Sequence, residues 1–324
     1  MAQRTSEASS SSVASGIFDT EVTSNRQVCD EHWRLTLRAE WFPPAIPGQF
    51  VQIHCGSAAS VDDAKPDSPA GRIERPSGEP DFGRVPFVRR PFSMADVRRD
   101  TPDGVEIDIL HRAIGPGTRW MATLRPGQRV NIIGPLGHGF RPAAGATLHV
   151  LVGGGIGVPP IFWLANELAG RGCATVAICG ATQARWLPLA IEGGEDAAFV
   201  GAAAFRVREF GASPVVITTD DGSVGLRGRA IDGLRAVLDG RGGKGGIVAI
   251  YACGPAAMLR GVAALAAERG VACQVCLERM MACGMGTCQS CVVRVKDATA
   301  EAGWRYRLCC SDGPVFEAGD VVWD

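Results

Sequence analysis

The sequence predicts an α/β plus β chain in three parts: an N-terminal antiparallel β-barrel, a parallel α/β domain and a small C-terminal domain organised by cysteines. Three observations carry this. Short apolar strands separated by Gly/Pro turns occupy residues 17–145, the texture of a small barrel, with a sandwich the other closure of the same pattern. From about Thr147 continuous apolar runs alternate with helical stretches, as in a parallel sheet covered by helices. Beyond residue 270, seven cysteines crowd between Cys273 and Cys310.

Composition narrows the function classes. The chain has 324 residues, 46% hydrophobic and 21% charged, enough to bury several cores. A net charge of -1 and only 6% aromatics argue against a nucleic-acid surface. Residues 1–16 are rich in Ser and Ala without an apolar signal core, and read as a disordered tail. The most apolar window, Leu148 to Ala169, is interrupted by Gly153-Gly154-Gly155, Gly157 and Pro159-Pro160, so it reads as strand, turn and helix rather than a membrane span. Twelve cysteines in a chain neither short nor evidently secreted point to reduced thiols and a cytoplasmic setting.

In order, Val28, Trp33, Leu35, Leu37 and Ala39 alternate in part with polar residues, as a half-buried strand does. Pro43-Pro44 and Pro47-Gly48 turn the chain into Phe50-Val51-Gln52-Ile53. Residues 56–83 are polar and Pro/Gly/Ser-rich, a surface insertion. Arg90-Pro91-Phe92-Ser93 follows, then the strand Val105–Leu110, the turn Gly115-Pro116-Gly117-Thr118, and Val130 to Gly137. In the second part, residues 146–270, strands are expected at His149–Val152, Ala174–Cys179, Val215–Thr219 and Ile247–Cys253. Helices are expected at Ile161–Ala169, Ala230–Leu238 and Ala256–Arg269. Residues 271–324 form the third part.

The cysteine segment carries the sharpest chemistry. Cys283, Cys288 and Cys291 stand in a C-x4-C-x2-C pattern, with Cys309-Cys310 downstream, the ligand spacing of a plant-type [2Fe–2S] centre. Gly284 and Gly286 let the loop curl and aim backbone N–H groups at sulfur. Zinc also accepts four thiolates, but structural zinc favours C-x2-C on both sides. Cys273 and Cys276 read as reduced thiols in a strand leading to the loop. Elsewhere, the glycines at 153–157 stand between a buried strand and a helix, where a pyrophosphate can approach backbone. Either Pro159 or Pro160 suits the first helical turn. Cys253-Gly254-Pro255 closes another strand end, the side of a parallel sheet where ligands bind. Arg90 and Ser93 suit a phosphate or flavin edge; singly, each of these motifs is also compatible with an ordinary turn. His111 and His138 have no nucleophile or metal partner and read as structural or cofactor-edge residues.

Together these motifs resemble one family. Arg-Pro-Phe-Ser, Gly-Pro-Gly-Thr and Gly-Pro-Leu-Gly resemble the flavin barrel of the ferredoxin reductase superfamily, and the glycine turn with Cys-Gly-Pro resembles its nicotinamide domain. Glu278 to Gly286, and Cys310-Ser311-Asp312-Gly313-Pro314-Val315-Phe316, closely resemble the electron-transfer subunit of NAD-dependent dihydroorotate dehydrogenase B (the PyrK family). Asp220-Asp221-Gly222-Ser223-Val224-Gly225 is similar to a further family stretch.

The resemblance implies an oxidoreductase subunit of pyrimidine biosynthesis. An FMN-containing catalytic partner, in a heterotetramer of two of each, oxidises dihydroorotate. This chain passes the electrons through a [2Fe–2S] cluster and FAD to NAD. It implies FAD contacts from Arg90, Pro91, Phe92 and Ser93, with Ile107 and Leu110 of the next strand. Gly115, Gly117 and Thr118 hold the FAD pyrophosphate, with Gly134 and Gly137 nearby. Gly154, Gly155, Cys253, Gly254 and Pro255 lie beside the nicotinamide, and Cys283, Cys288, Cys291 and Cys310 are cluster ligands. Cys309 is the rival fourth ligand; Cys310 is chosen because one residue separates it from Asp312. Where an acidic residue for a ribose is expected, Arg185 stands instead, which leaves NADP as an alternative acceptor. The competing functions are another FAD/[2Fe–2S] reductase subunit, of the sulfide dehydrogenase, ferredoxin:NADP or hydrogenase diaphorase type, and a zinc-stabilised scaffold. No base suited to dihydroorotate oxidation is identifiable in this chain, so no residue of it is expected to be catalytic.

Overall fold

The computed structural model describes residues 15–56, 88–199, 202–240 and 246–323. The expected tail lies outside them except for Ser15 and Gly16, and so does the expected insertion except for Gly56.

The first part is a closed six-stranded antiparallel barrel, the barrel rather than the sandwich. Its strands are β1 (Gly16–Cys29), β2 (His32–Ala39), β3 (Phe50–Ile53), β4 (Arg90–Thr101), β5 (Gly104–Arg112) and, after helix α1 (Pro116–Thr123), β6 (Arg129–Leu136), in the order β1-β2-β5-β4-β3-β6. Closure leaves no open edge. Side chains alternate across the wall: Leu35, Leu37, Val51, Ile53, Met94, Ile107, Ile109 and Ile132 fill the interior.

On the outer wall the same alternation sets Asp108 beside Thr36 and opposite two arginines. Asp108 is 1% exposed and accepts from Thr36 Oγ1 at 2.7 Å, Arg34 Nε at 2.9 Å and Arg98 Nη1 at 2.8 Å. Burial pushes this carboxyl up, but the Arg98 hydrogen bonds and the charges of Arg34 and Arg98 outweigh it and hold the acid below its ordinary range. The hydrogen bonds to Asp108 likewise raise Arg98.

The second part is a mixed sheet. It comprises β7 (Leu148–Gly154), β8 (Thr175–Ala181), β9 (Ile191–Phe199), β10 (Ala202–Val207), β11 (Val215–Thr219), β12 (Leu226–Arg227), β13 (Val248–Cys253), β14 (Ala272–Cys276) and β17 (Val315–Glu317). The path is β17-β14-β13-β7-β8-β11-β10-β9, with β12 beside β11. Strands β14, β13, β7, β8 and β11 are parallel neighbours; β17 and β10 add antiparallel flanks. The sheet therefore runs past residue 270: Ala272–Cys276 and Val315–Glu317, both expected in the third part, form its far edge. Helices α2 (Val158–Gly170), α3 (Ala230–Gly240) and α4 (Ala256–Glu268) cover the sheet. Helix α2 carries proline in its first turn, as expected, and is buried on nearly every face. Its Trp163 enters the barrel core while Ile161, Phe162 and Leu164 pack on the sheet.

The third part adds the two-stranded sheet of β15 (Val292–Lys296) and β16 (Trp304–Leu308). No helix among the described residues is long and apolar enough to cross a membrane.

Asp108→Asn should lower stability by about 2 kcal/mol. That is less than a fully buried pair, because both arginines stay partly in water. Since the folded acid titrates low, its stabilisation is complete above the ordinary value of 3.8 and lost as pH falls through the folded value. Urea midpoints across the acid range check this: the wild-type midpoint should drop more steeply than the variant's.

Candidate functional site

The loop between β14 and β15 turns back on itself through Gly284 at φ +73° and Gly286 at φ +87°, a region open to glycine at little cost. The curl directs N–H groups at sulfur. Met285 N and Cys288 N donate to Cys283 Sγ at 3.5 and 3.4 Å, and Gly286 N donates to Cys310 Sγ at 3.2 Å. Cys310 N in turn donates to Cys291 Sγ at 3.4 Å. Cys288 shares a 3.2 Å hydrogen bond with the Ser290 hydroxyl, which with neighbouring loop groups pulls its thiol down to about 6.

Cys309 points elsewhere, donating to the Leu277 carbonyl at 3.4 Å inside the core. Burial pushes both Cys309 and Cys310 up to about 12, so what each thiol touches separates them. Only Cys310 of the two joins the N–H-ringed set. Cys283, Cys291 and Cys310, each accepting a backbone N–H, suit a [2Fe–2S] cluster, whose sulfurs need such donors. The set is open on one side: Cys288 is exposed and Cys283 partly so, while Cys291 and Cys310 are buried.

The segment that leads into the thiol loop borders a cavity of about 250 Å³ lined by all three parts of the chain. The barrel contributes Pro91, Phe92 and Ser93 of β4, Leu110, His111 and Arg112 of β5, and Thr118 of α1. The sheet domain contributes Ile156, Cys253 and Gly254 from two strand ends. The crossing segment from β14 to the loop contributes Leu277, Glu278, Arg279 and Met281. His111 is 1% exposed, and neither ring nitrogen has a hydrogen-bond partner among the described residues. Burial first, then the charge of His32, lowers its pKa to about 4, so it is neutral at pH 7. Apolar walls with an unpaired neutral imidazole fit a flat aromatic ring with polar edges, as in a flavin.

Beside this cavity α1 begins. Thr118 Oγ1 accepts from Ile114 N at 3.1 Å and Gly115 N at 3.0 Å. A Cβ on Gly117 would stand 3.5 Å from the Arg90 stem. A helix start next to an arginine is suited to a phosphate.

A second cleft of about 960 Å³ adjoins the first through Arg112 and Ile156. It lies at the carboxyl ends of the parallel strands: Gly154 and Gly155 after β7, Gly180 to Gln183 after β8, Asp220 after β11 and Pro255 after β13. This is where open parallel sheets bind ligands. Arg185 lines it, as the sequence suggested, with Arg229. Trp186 forms one wall, with the Arg112 guanidinium 4.0 Å from its ring centroid and His32 edge-on at 6.1 Å.

The structure thus brings together Pro91, Phe92, Ser93, Leu110, Thr118, Cys253 and Gly254 at one cavity, and Gly154, Gly155 and Pro255 at the other. Six expected residues line neither cavity: Arg90, Gly115 and Gly117 lie around the start of α1 beside the first, and three stand apart. Ile107 points into the barrel core with Ile109, because strand alternation turns it from the cavity. Gly134 and Gly137 line neither cavity. A Cβ on Gly134 would stand 2.6 Å from Val51 Cγ1, and one on Gly137 2.6 Å from Gly313 O and Pro314 Cδ. Both glycines serve close packing, the second against the cysteine domain. Sequence reasoning gave no site role to Arg112, Trp186, Ile156 or the Leu277–Met281 crossing. Their signal is positional: Ile156 and Glu278–Met281 stand inside motifs that were read, and Arg112 and Trp186 stand just after residues that were.

The sequence model of the iron–sulfur cluster binding domain of dihydroorotate dehydrogenase B matches residues 278–322. The dihydroorotate dehydrogenase B (NAD(+)) electron transfer subunit of Geobacillus thermodenitrificans is 36% identical over 308 residues, 93% of this chain and 96% of that one. The subunit of the same name from Desulforamulus reducens is 33% identical over 281 residues, 86% and 88% of the two chains. Among solved structures, that of an NADH-dependent reduced ferredoxin-NADP oxidoreductase superposes with a TM-score of 0.67 at 22% identity, covering 94% of this chain and 90% of that one. A ferredoxin reductase in carbazole 1,9a-dioxygenase gives 0.56 at 19%, covering 80% and 68%. These likenesses make the fold ferredoxin-reductase-like. By its likeness to relatives along nearly its whole length, the chain belongs to the family of electron transfer subunits of dihydroorotate dehydrogenase B (NAD(+)).

Proposed function

We propose that this chain is the electron-transfer subunit of an NAD-dependent dihydroorotate dehydrogenase, carrying electrons from the FMN of a separate dihydroorotate-oxidising subunit to NAD+ in pyrimidine biosynthesis. The observation that carries this reading is the thiol loop, supplied with N–H donors, entered from a Leu277–Met281 segment that itself lines a cavity shared by all three parts of the chain. When bound, a [2Fe–2S] cluster supplies one-electron chemistry and FAD supplies the conversion of electrons to hydride that NAD+ requires.

The chain's residues bind and orient these groups. Cys283, Cys288, Cys291 and Cys310 hold the cluster, and loop N–H groups offset its negative charge. Pro91, Phe92, Ser93 and Leu110 form the flavin floor, with neutral His111 presenting a nitrogen to the ring edge. Arg90 and the start of α1, with Gly115, Gly117 and Thr118, hold the pyrophosphate. Gly154, Gly155, Cys253, Gly254 and Pro255 leave the nicotinamide open access to the flavin face. The partner subunit docks over the Cys283–Cys291 loop, where Cys288 is exposed and Met280 and Met285 are 91% and 53% exposed. A heterotetramer of two of each subunit accommodates one such contact per chain. A reducing cytoplasm suits the twelve free thiols.

Three outcomes test this reading. Cys310→Ala should lose cluster iron and its visible absorption while FAD stays bound, whereas Cys309→Ala should keep both; iron assay and spectra read this. The isolated chain should reduce dyes with NADH yet turn over dihydroorotate only when its partner is added, as a steady-state assay of both reactions measures. Finally, because folded His111 titrates near 4 against an ordinary 6.5, the unfolded chain binds the extra proton between those values. Stability should therefore fall as pH drops from 6.5 to 4, by about 3 kcal/mol from this group. His111→Phe should remove that share in paired denaturation curves.

A further inference from the structure

The outer face of β3 runs between the flavin-type cavity and the thiol loop. Val51 and Ile53 point into the barrel, so Phe50 and Gln52 point out. Phe50 lines the cavity and packs in the same core as Cys291, Cys309 and Cys310. Gln52, two residues along, is 0% exposed, and neither atom of its amide has a hydrogen-bond partner among the described residues. It stands in register with Pro91 of β4, a cavity wall. Its other neighbour is the thiol loop. A Cβ on Gly284, the residue after Cys283, would lie 2.5 Å from Gln52 Nε2 and 2.6 Å from its Cγ. The loop thus omits a side chain at the point where this amide reaches it.

Buried amides are almost always bonded, so an unpaired one beside a cofactor site points to a partner that arrives with the cofactor. Which partner follows from chemistry. The cluster's sulfurs are acceptors only, and of the two ends of an amide only the N–H donates. We propose that Gln52 donates its amide N–H to a sulfur of the [2Fe–2S] cluster, and so sets the cluster's reduction potential from the flavin-bearing strand. The inference rests on the cluster reading given above. A donor at sulfur stabilises the reduced, more negative cluster and raises its potential. Gln52 is thus a polar contact by which the barrel wall acts on the electron carrier of the neighbouring domain.

The test uses the intact two-subunit complex carrying Gln52→Leu, and Gln52→Met as a second variant of similar volume. Iron and acid-labile sulfide are measured first, then the cluster and flavin midpoints by redox titration. The exchangeable-proton couplings of the reduced cluster are read by pulsed electron paramagnetic resonance. Expected are full cluster content, a several-fold fall in the equilibrium constant for cluster reduction (tenfold being about 59 mV for one electron), loss of one exchangeable-proton coupling, and an unmoved flavin midpoint. An unchanged cluster midpoint with all proton couplings retained, in either variant that assembles, overturns the proposal. A flavin midpoint that moves while the cluster's does not assigns the amide to the flavin and also overturns it. A wild-type complex without iron defeats the cluster reading itself, a failure distinct from either.

Discussion

The arrangement of the site depends on the seam between the barrel and the cysteine domain. Gly137 has no room for a side chain because Gly313 and Pro314 press against it. His138 N donates to Gly313 O at 2.6 Å, and Gln49 Nε2 holds the Gly137 carbonyl at 2.8 Å. On the far side of the same turn Leu277 N donates to Pro314 O at 2.8 Å. One turn, Gly313-Pro314, therefore anchors both the barrel and the segment that crosses the cavity. Loosening it would open the cavity and shift the thiol loop together. Close packing makes this a two-sided constraint, since interiors transmit displacement rather than absorb it.

The sheet domain is fixed by a different means. Helix α2 is apolar on nearly all sides because it has two neighbours, the barrel through Trp163 and the sheet through Ile161 and Phe162. It starts directly after the Gly-rich turn at β7, so the turn that faces the second cleft is carried on the most deeply buried helix. Strand β14 then does for the cysteine loop what α2 does for the turn. It is a parallel strand paired to β13, with Cys276 in register with Cys253, and it runs directly into the crossing segment. Both cavity mouths are thus built on regular elements of the sheet domain.

Much of this was legible in the sequence, and the reasons differ by element. The strands at 148–154, 215–219 and 248–253 were plain because two-sided burial leaves an unbroken apolar run. The barrel was plain as short strands, yet closure was not, because no local pattern distinguishes a barrel from a sandwich. The hairpin of β9 and β10 escaped notice because Glu192-Gly193-Gly194-Glu195 carries no strand propensity. The cysteine spacing was read directly, and the choice between Cys309 and Cys310 turned on a family register. In the structure the two adjacent residues stand in the turn after β16, where Cys309 Sγ donates to the Leu277 carbonyl while Cys310 Sγ accepts from Gly286 N, so only one side chain reaches the loop. Ile107, Gly134 and Gly137 were expected at the flavin, but orientation and packing place them elsewhere, and neither is written in local sequence. Gln52 carried no signal: a single glutamine in an alternating strand reads as a solvent-facing residue until the loop covers it.

The burial of the thiols gives the proposed electron path a direction. Cys288 is exposed and Cys291 and Cys310 are buried, so a cluster that these residues would hold has a side open to a partner and a side closed by the core. Met280 and Met285, apolar and exposed, frame the outer side; adaptable thioether surfaces of this kind suit a partner that must approach closely. On the inner side, Phe50 and Leu277 line the cavity and pack in one buried core with Cys291 and Cys310. Burial on that side keeps the local dielectric low, so backbone dipoles and a single amide weigh more in the cluster's energetics than they would at a surface. The open side would suit electron exchange with a partner, while Cys291 and Cys310 would hold the cluster's other side in the fixed environment of a core shared with Phe50 of the barrel.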